Sequence, residues 1–484
     1  MNVTRQLVAY GRKPPTPLTV PLEAGSELQI TQWLRILPGK RLVGCGEWQG
    51  QLVLVKLFIA SAARRHWQRE LNGVKALREQ QLQTPELLAS GALPGGGFYL
   101  ITRYLEGARS LQQNWQALPD TSPANPDARA IVQRVLRALA QLHRHGLTQS
   151  DLHLGNFLCW QDDLYIIDGD AIQQHSPGEP ITAAEAAHNL GLFFAQLVPA
   201  WDEQVELMLI DYLSLNSERA LNPEQIQQSI DSGRAWRLRD YLGKAVRDCT
   251  LFSVRQNWWR FLSVQRKDSK ALTTLLAAPD EPFTRQPPAL KDGGSSTVTR
   301  VSLADRELVI KRYNIKSLAH WLRRFWRPSR AWHSWLAGHH LRFLDIATPE
   351  PLAMLESRFG PFRRRAWLVT AFCPGQDLCE LVPADGSCLP SLEQQSALLA
   401  LFTQLQRHQI SHGDCKGTNI LWAEGCFWLI DLDAMQAHQR PASWQQAWAR
   451  DRARLIRNWP ADSQMACWLE QALPNLSADT GIRG

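Results

Sequence analysis

Residues 412–435 read HGDCKGTNILWAEGCFWLIDLDAM, and residues 149–172 read QSDLHLGNFLCWQDDLYIIDGDAI. Each stretch sets an aspartate, an asparagine five residues on, and a second aspartate twelve residues later. These are Asp414, Asn419 and Asp431 in one, and Asp151, Asn156 and Asp168 in the other, all offset by 263. A lone D-x-x-x-x-N means little, because Asp and Asn are ordinary turn residues. Two copies at identical spacing are harder to dismiss, and other pairs agree. VLVKLF with Lys56 recurs as LVIKRY with Lys311, offset 255, and Thr84-Pro85 recurs as Thr348-Pro349, offset 264. A duplicated domain accounts for all of these.

The surrounding pattern supports the repeat. LVLVKLF and ELVIKRY are short and β-branched and are expected to be strands. Ile131, Val135, Leu139 and Leu142 form a helical stripe within 127–145. Ser391 with Gln394 has the spacing of a capping box and opens a helix through Leu398, Phe402 and Leu405. Each helix leads into its Asp-containing segment, and LYIIDGD and FWLIDLD follow as buried strands ending on carboxylates. Residues 119–126, PDTSPANP, are expected to be a loop. Residues 277–289, AAPDEPFTRQPPA, hold four prolines and suit neither a helix nor a central strand. The expected division is a first domain over 1–276, a linker over 277–289 and a second domain over 290–484.

The spacing has a chemical rationale. Phosphoryl transfer from ATP needs a lysine on the α/β-phosphates, an asparagine and an aspartate on Mg²⁺, and an aspartate to accept the hydroxyl proton. Asp151 and Asp414 would be the bases. Asn156 with Asp168, and Asn419 with Asp431, would hold the metal. A five-residue loop presents base and metal ligand to one small volume, and the following hairpin returns the second aspartate beside them.

These motifs resemble the protein-kinase-like superfamily in its small-molecule branch. GLTQSDLHLGNFLCWQDDLYIIDGD resembles the lipopolysaccharide core (Kdo/heptose) kinases of Gram-negative bacteria, and HGDCKGTNIL resembles these and the aminoglycoside and choline kinases. The resemblance implies an α+β fold of two tandem kinase-like domains, each with a β-rich N-lobe and a mostly helical C-lobe. It implies ATP and Mg²⁺ as cofactors and a sugar hydroxyl as acceptor, most readily heptose of the lipopolysaccharide inner core. Core oligosaccharide, free or lipid-linked, would be the partner. Two other readings stand beside it: a scaffold with one or both halves inactive, and an aminoglycoside- or choline-type kinase.

Several positions depart from the family pattern. In the first half, Glu70 of RRHWQRELNGVKAL is the candidate partner for Lys56, the alternative being a solvent-exposed glutamate. Gly44 and Gly46 of RLVGCGEW are candidates for a phosphate-covering loop, though a lone GxG is weak. Gln149 replaces the usual histidine two residues before the base. The second half keeps His412 and adds Lys416, a candidate for the γ-phosphate, where the first half has His153. There, however, Ser334 stands where Glu70 is expected, so Lys311 lacks an obvious acid. Gly293 and Gly294 of KDGGSST either cover phosphates or form a hairpin turn. Neither half has the DFG phenylalanine or glycine, and no peptide platform is evident.

Bulk properties frame the rest. The 484 residues carry 53 basic and 46 acidic side chains, net +7, and 44% hydrophobic residues, which suits two or three packed domains with a mild preference for anionic partners. Nine scattered cysteines without a CxxC pair argue against zinc sites and disulfides. The N-terminus lacks a signal-peptide apolar run and no transmembrane stretch is evident, so a cytoplasmic protein is expected. The segment 317–335, SLAHWLRRFWRPSRAWHSW, mixes arginines with an apolar face. It reads equally as an interfacial helix on anionic inner membrane or as a packed insertion; RRR at 363–365 would extend a basic patch. Nucleic acid is not expected, since no binding module is recognised.

Overall fold

A computed structural model describes residues 3–473 apart from 23–24, 176–177, 218–219, 285–290, 293–295, 304–305 and 315–326. The chain divides into two compact units, Met1–Arg237 and Leu238–Gly484.

The first unit opens with a six-stranded antiparallel sheet. Its strands are β1 (Leu18–Pro21), β2 (Glu27–Leu37), β3 (Arg41–Trp48), β4 (Gln51–Phe58), β5 (Leu87–Ala92) and β6 (Phe98–Arg103), in the order 1-2-3-4-6-5. Val53, Val55 and Leu57 of β4 alternate into a core shared with Leu28, Ile30 and Ile101. This is the period of two that places Lys56 on the opposite face. Helix α1 (Ala63–Glu79) packs beside the sheet. A mainly helical part follows, built around α2 (Pro126–Arg144), whose stripe of Ile131, Val135, Leu139 and Leu142 is buried. Asn125 caps this helix through the Asp127 amide, which ends the 119–125 loop. The motif itself lies on short strands β7 (Leu147–Gln149), β8 (Phe157–Trp160), β9 (Asp163–Ile166) and β10 (Ile172–Gln174). Helices α3 (Ala183–Phe194) and α4 (Pro223–Lys244) come next, and the division between the units falls within α4.

The second unit repeats this plan with a seven-stranded sheet. The strands are β11 (Phe252–Gln256), β12 (Arg260–Gln265), β13 (Lys291–Asp292), β14 (Ser296–Leu303), β15 (Arg306–Tyr313), β16 (Pro351–Phe359) and β17 (Phe362–Ala371), and α5 (Arg330–Phe343) precedes β16. Their order is 11-12-16-17-15-14-13. Helix α6 (Leu392–Arg407) begins on the Ser391–Gln394 capping box. The motif then runs over β18 (Ile410–Ser411), β19 (Ile420–Ala423), β20 (Cys426–Leu429) and β21 (Gln436–Ala437), ahead of α7 (Pro441–Ile456).

The expected boundary at 277–289 is corrected by this topology. β11 and β12 precede the proline-rich stretch, yet β12 pairs with β16 from Arg260↔Ser357 to Val264↔Ala353. Phe252 and Phe261 pack with the fully buried Trp335. Asp280, inside the supposed linker, receives Arg312, Arg365 and Trp367.

Residues 317–326 of the basic aromatic segment lie outside the described residues. The remainder of that segment is structural: α5 begins at Arg330 and buries Trp335. Of RRR 363–365, Arg363 lies 3.6 Å from the buried Glu356 and Arg365 2.8 Å from Asp280. No helix among the described residues is long and apolar enough to cross a membrane.

Candidate active site

In the first unit, Lys56 Nζ donates to Glu70 Oε1 at 2.5 Å and lies 3.4 Å from Asp168 Oδ1. Glu70 is 1% exposed, so the solvent-exposed alternative is excluded. It also accepts the Gly169 amide at 3.1 Å, which ties α1 to the turn carrying Asp168. That close approach needs both glycines. A Cβ on Gly73 would sit 2.0 Å from the Gly169 carbonyl oxygen, and one on Gly169 would sit 2.4 Å from the Glu70 oxygen. Asp168 adopts a left-handed backbone, φ 68°. Burial opposes its ionisation, but Lys56 and Arg41 outweigh this and hold its carboxyl below the usual range.

Asn156 donates its amide nitrogen to the Asp151 carbonyl at 2.8 Å, which leaves the amide oxygen as the atom suited to a metal. The Asp151 side chain is 68% exposed, as a residue meeting an incoming substrate would be, with His153 4.0 Å away. Gln149 fills the histidine's role. Its side-chain nitrogen donates to the Ile167 carbonyl at 3.1 Å, as His412 Nε2 meets the Ile430 carbonyl at 2.9 Å, one repeat later.

Gly44 and Gly46 do not form a loop. They lie within β3, and a Cβ on Gly46 would fall 1.9 Å from the Gln29 carbonyl oxygen of bulged β2. Their absent side chains serve strand packing. The sheet turn nearest Lys56's strand on that side is Leu37–Arg41, with Gly39 at φ 66°. Gly293 and Gly294 lie outside the described residues; the strands flanking them pair antiparallel.

The second unit solves the missing-glutamate problem differently. Lys311 ion-pairs with Asp431 and, at 2.9 Å, with Asp433. Asp433 Oδ1 accepts the hydroxyls of Tyr313 and Ser334, each at 2.7 Å, and its other oxygen also pairs with Arg330. The acid has moved from the helix to the turn that carries Asp431, and Ser334 donates to it. Burial opposes ionisation of Asp433, but Lys311 and Arg330 prevail and bring its pKa down to about 2. Asp433 was missed in the sequence although its signal is there: the last acids of IDGD and IDLD, Asp170 and Asp433, share the offset of 263.

Asn419 Nδ2 donates to the Asp414 carbonyl at 2.9 Å, and Asp431 has φ 58°, matching the first unit. Asp414 lies 3.4 Å from Lys416 and 3.5 Å from Arg454. Burial pushes its pKa up, but these two cations more than offset this, so it stays below the usual range. Lys416 thus sits beside the candidate base. A cleft of about 630 Å³ is lined by Lys311, Lys416, Asn419 and Asp431, with Val298, Val309 and Leu421 as apolar walls. In the first unit Val43 stands opposite Lys56 in the register that Val298 holds to Lys311.

A model of the lipopolysaccharide kinase (Kdo/WaaP) family matches residues 50–180 and 286–465, taking in both motifs and both lysines. The chain belongs to that family. As a member of the lipopolysaccharide kinase family it is a phosphotransferase, built as two tandem kinase-like domains. No curated protein matches it. Among solved structures it is similar to WaaP in complex with acyl carrier protein, at 20% identity over 43% of this chain and 86% of that one, TM-score 0.30. It is also similar to the PknI kinase domain of Mycobacterium tuberculosis, at 19% identity over 46% and 99%, TM-score 0.30.

Proposed function

We propose that this lipopolysaccharide kinase transfers the γ-phosphoryl group of ATP to a sugar hydroxyl of the lipopolysaccharide inner core, heptose first among the candidates. The observation that carries this reading is the second unit's cleft, where lysine, asparagine and aspartate line one cavity bounded by apolar walls. Val298, Val309 and Leu421 suit a flat purine. Lys311 and Lys56 suit the α/β-phosphates, each already oriented by carboxylates. Asn419 with Asp431, and Asn156 with Asp168, offer two hard oxygen donors each. That suits Mg²⁺, which takes few protein ligands and completes its shell with phosphate and water. Bound there, Mg²⁺ would neutralise charge on the transferring group.

The protein's own residues would do the rest. Asp151 or Asp414 accepts the hydroxyl proton as the sugar oxygen bonds to the γ-phosphorus and the bond to the β–γ bridging oxygen breaks, releasing ADP. The cations beside Asp414 keep it ionised for that task. Lys416 is suited to hold the γ-phosphate beside it.

The test is phosphate transfer from labelled ATP and Mg²⁺ to core oligosaccharide, native and dephosphorylated. The intact protein is compared with Asp151→Asn, Asp414→Asn and the double variant. Each single variant should lose the share of turnover due to its own unit, and the double variant should fall about 10³-fold or more. Undiminished transfer by the double variant would remove both aspartates from the reaction. No transfer by the intact protein would sink the sugar-kinase reading.

A further inference from the structure

Beside Asp414 the second unit has another cavity, of about 760 Å³, lined by Ser411, Gly413, Asp414, Asp451 and one face of α7 and its cap. Arg450, Arg454 and Arg457 of that face line it, and all three are exposed. Their spacing of four and three stacks them along one side of the helix. Two acids oppose them, and both are already engaged. Asp451 accepts the His412 amide at 2.6 Å and the Gly413 amide at 2.9 Å. Asp414 is the candidate base, 3.5 Å from Arg454. Three guanidinium groups against these two carboxylates leave the cavity with an excess of positive charge beside Asp414.

The first unit provides an internal comparison. There Asn189 of α3 donates to the Gln149 carbonyl at 2.8 Å, occupying the place that Asp451 takes at His412. Counted from that pair, the positions of Arg450, Arg454 and Arg457 are His188, Leu192 and Ala195. Helix α4 lies over the last two, since a Cβ on Gly233 would meet Ala195 Cβ at 3.1 Å and Leu192 Cδ2 at 3.5 Å, while His188 is exposed. The same fold thus closes the positions of Arg454 and Arg457 with apolar packing in one unit, and lines all three positions with exposed guanidinium groups in the other. The arginines are not a requirement of the fold.

We propose that Arg450 and Arg457 bind an anionic group, phosphate or carboxylate, carried by the second unit's own acceptor, so that this unit modifies a sugar that is already phosphorylated or acidic. Guanidinium groups bind either oxyanion bidentately, and exposed ones can do so without desolvating a buried charge. In a reaction sequence, the step that installs the charged group then precedes this one. The inference rests on the reading of Asp414 as the acceptor-side base.

Binding, which needs no turnover, separates the two claims. Full-length protein, Arg450→Gln/Arg457→Gln and the charge-loss control Arg364→Gln would each be titrated calorimetrically with three preparations of core oligosaccharide. These are native, dephosphorylated, and dephosphorylated with its carboxyl groups reduced. The expected result is that the double variant weakens binding of native oligosaccharide about 10- to 100-fold, while Arg364→Gln binds as the parent does. A matching loss on dephosphorylation of the ligand would identify phosphate as the group, and a loss only on carboxyl reduction would identify carboxylate. Equal binding of all three preparations by the parent would overturn the proposal, as would native binding unaffected by the double variant in protein with unchanged circular dichroism. Charge-selective binding without any phosphate transfer would leave this site standing and sink the sugar-kinase reading instead.

Discussion

At the scale of single residues, the two units anchor the same lysine with different acids, and the difference can be measured. Asp433 takes Lys311, Arg330, Tyr313 and Ser334 at once and is largely buried. Asp433→Asn removes the charge and leaves those cations under-compensated, so the second unit should lose about 3–5 kcal/mol in denaturant unfolding. The equivalent Asp170 pairs with the half-exposed Arg69, so Asp170→Asn should lose at most about 1 kcal/mol. The pH dependence has a definite sign. Asp433's pKa is depressed to about 2 in the folded state, so its contribution is fully present above its ordinary value of 3.8 and is lost as pH falls toward 2. That contribution is about 2 kcal/mol. Thermal melts between pH 5 and pH 2 should therefore steepen in the parent and flatten in Asp433→Asn. The candidates Asp151 and Asp414, Asn156 and Asn419, and Asp168 and Asp431 could be picked out in the sequence because their spacing repeats. Asp433's role could not, because it depends on a lysine 122 residues away choosing a turn acid over a helix acid.

At the scale of elements, helix α1 is held against the turn that carries Asp168 by two missing side chains. Gly73→Ala places a Cβ against the Gly169 carbonyl, which is backbone and cannot rotate away. The helix must move outward, separating Glu70 from Lys56. A loss of about 1–3 kcal/mol and weaker nucleotide binding by the first unit are expected, read by denaturation and by titration with a fluorescent ATP analogue. Gly243, in α4, has nothing within 4 Å of its Cβ position. Gly243→Ala should be neutral or stabilise by up to about 1 kcal/mol, which separates a packing effect from a general glycine effect. Helices and strands were readable from periodicity, since Ile131, Val135, Leu139 and Leu142, or the alternation along β4, report local geometry. The functions of the glycines were not. Gly44 and Gly46 look like a phosphate loop by spacing alone, and only the bulged pairing with β2 shows that they make room for a neighbouring strand.

At the scale of the whole molecule, duplication was legible but the boundary was not. Prolines mark where a chain cannot be regular, whereas a domain ends where long-range pairing ends. β11 and β12 lie upstream of the prolines yet complete the second sheet. A fragment over 223–484 should therefore fold. One over 277–484 would uncover β16 and the Phe252 and Phe261 side of Trp335, and should be insoluble or molten by near-ultraviolet circular dichroism. Within one chain, the units also differ in what a moving helix would do. On the proposed function, outward displacement of α1 would part Lys56 from Glu70 and idle the first unit. The same displacement of α5 would take Ser334 and Arg330 from Asp433 but leave Lys311 on its two turn carboxylates. The first unit would thus retain a lever through which a partner or ligand could throttle it. The second has its lysine wired to the turn itself and on the same reading would stay on.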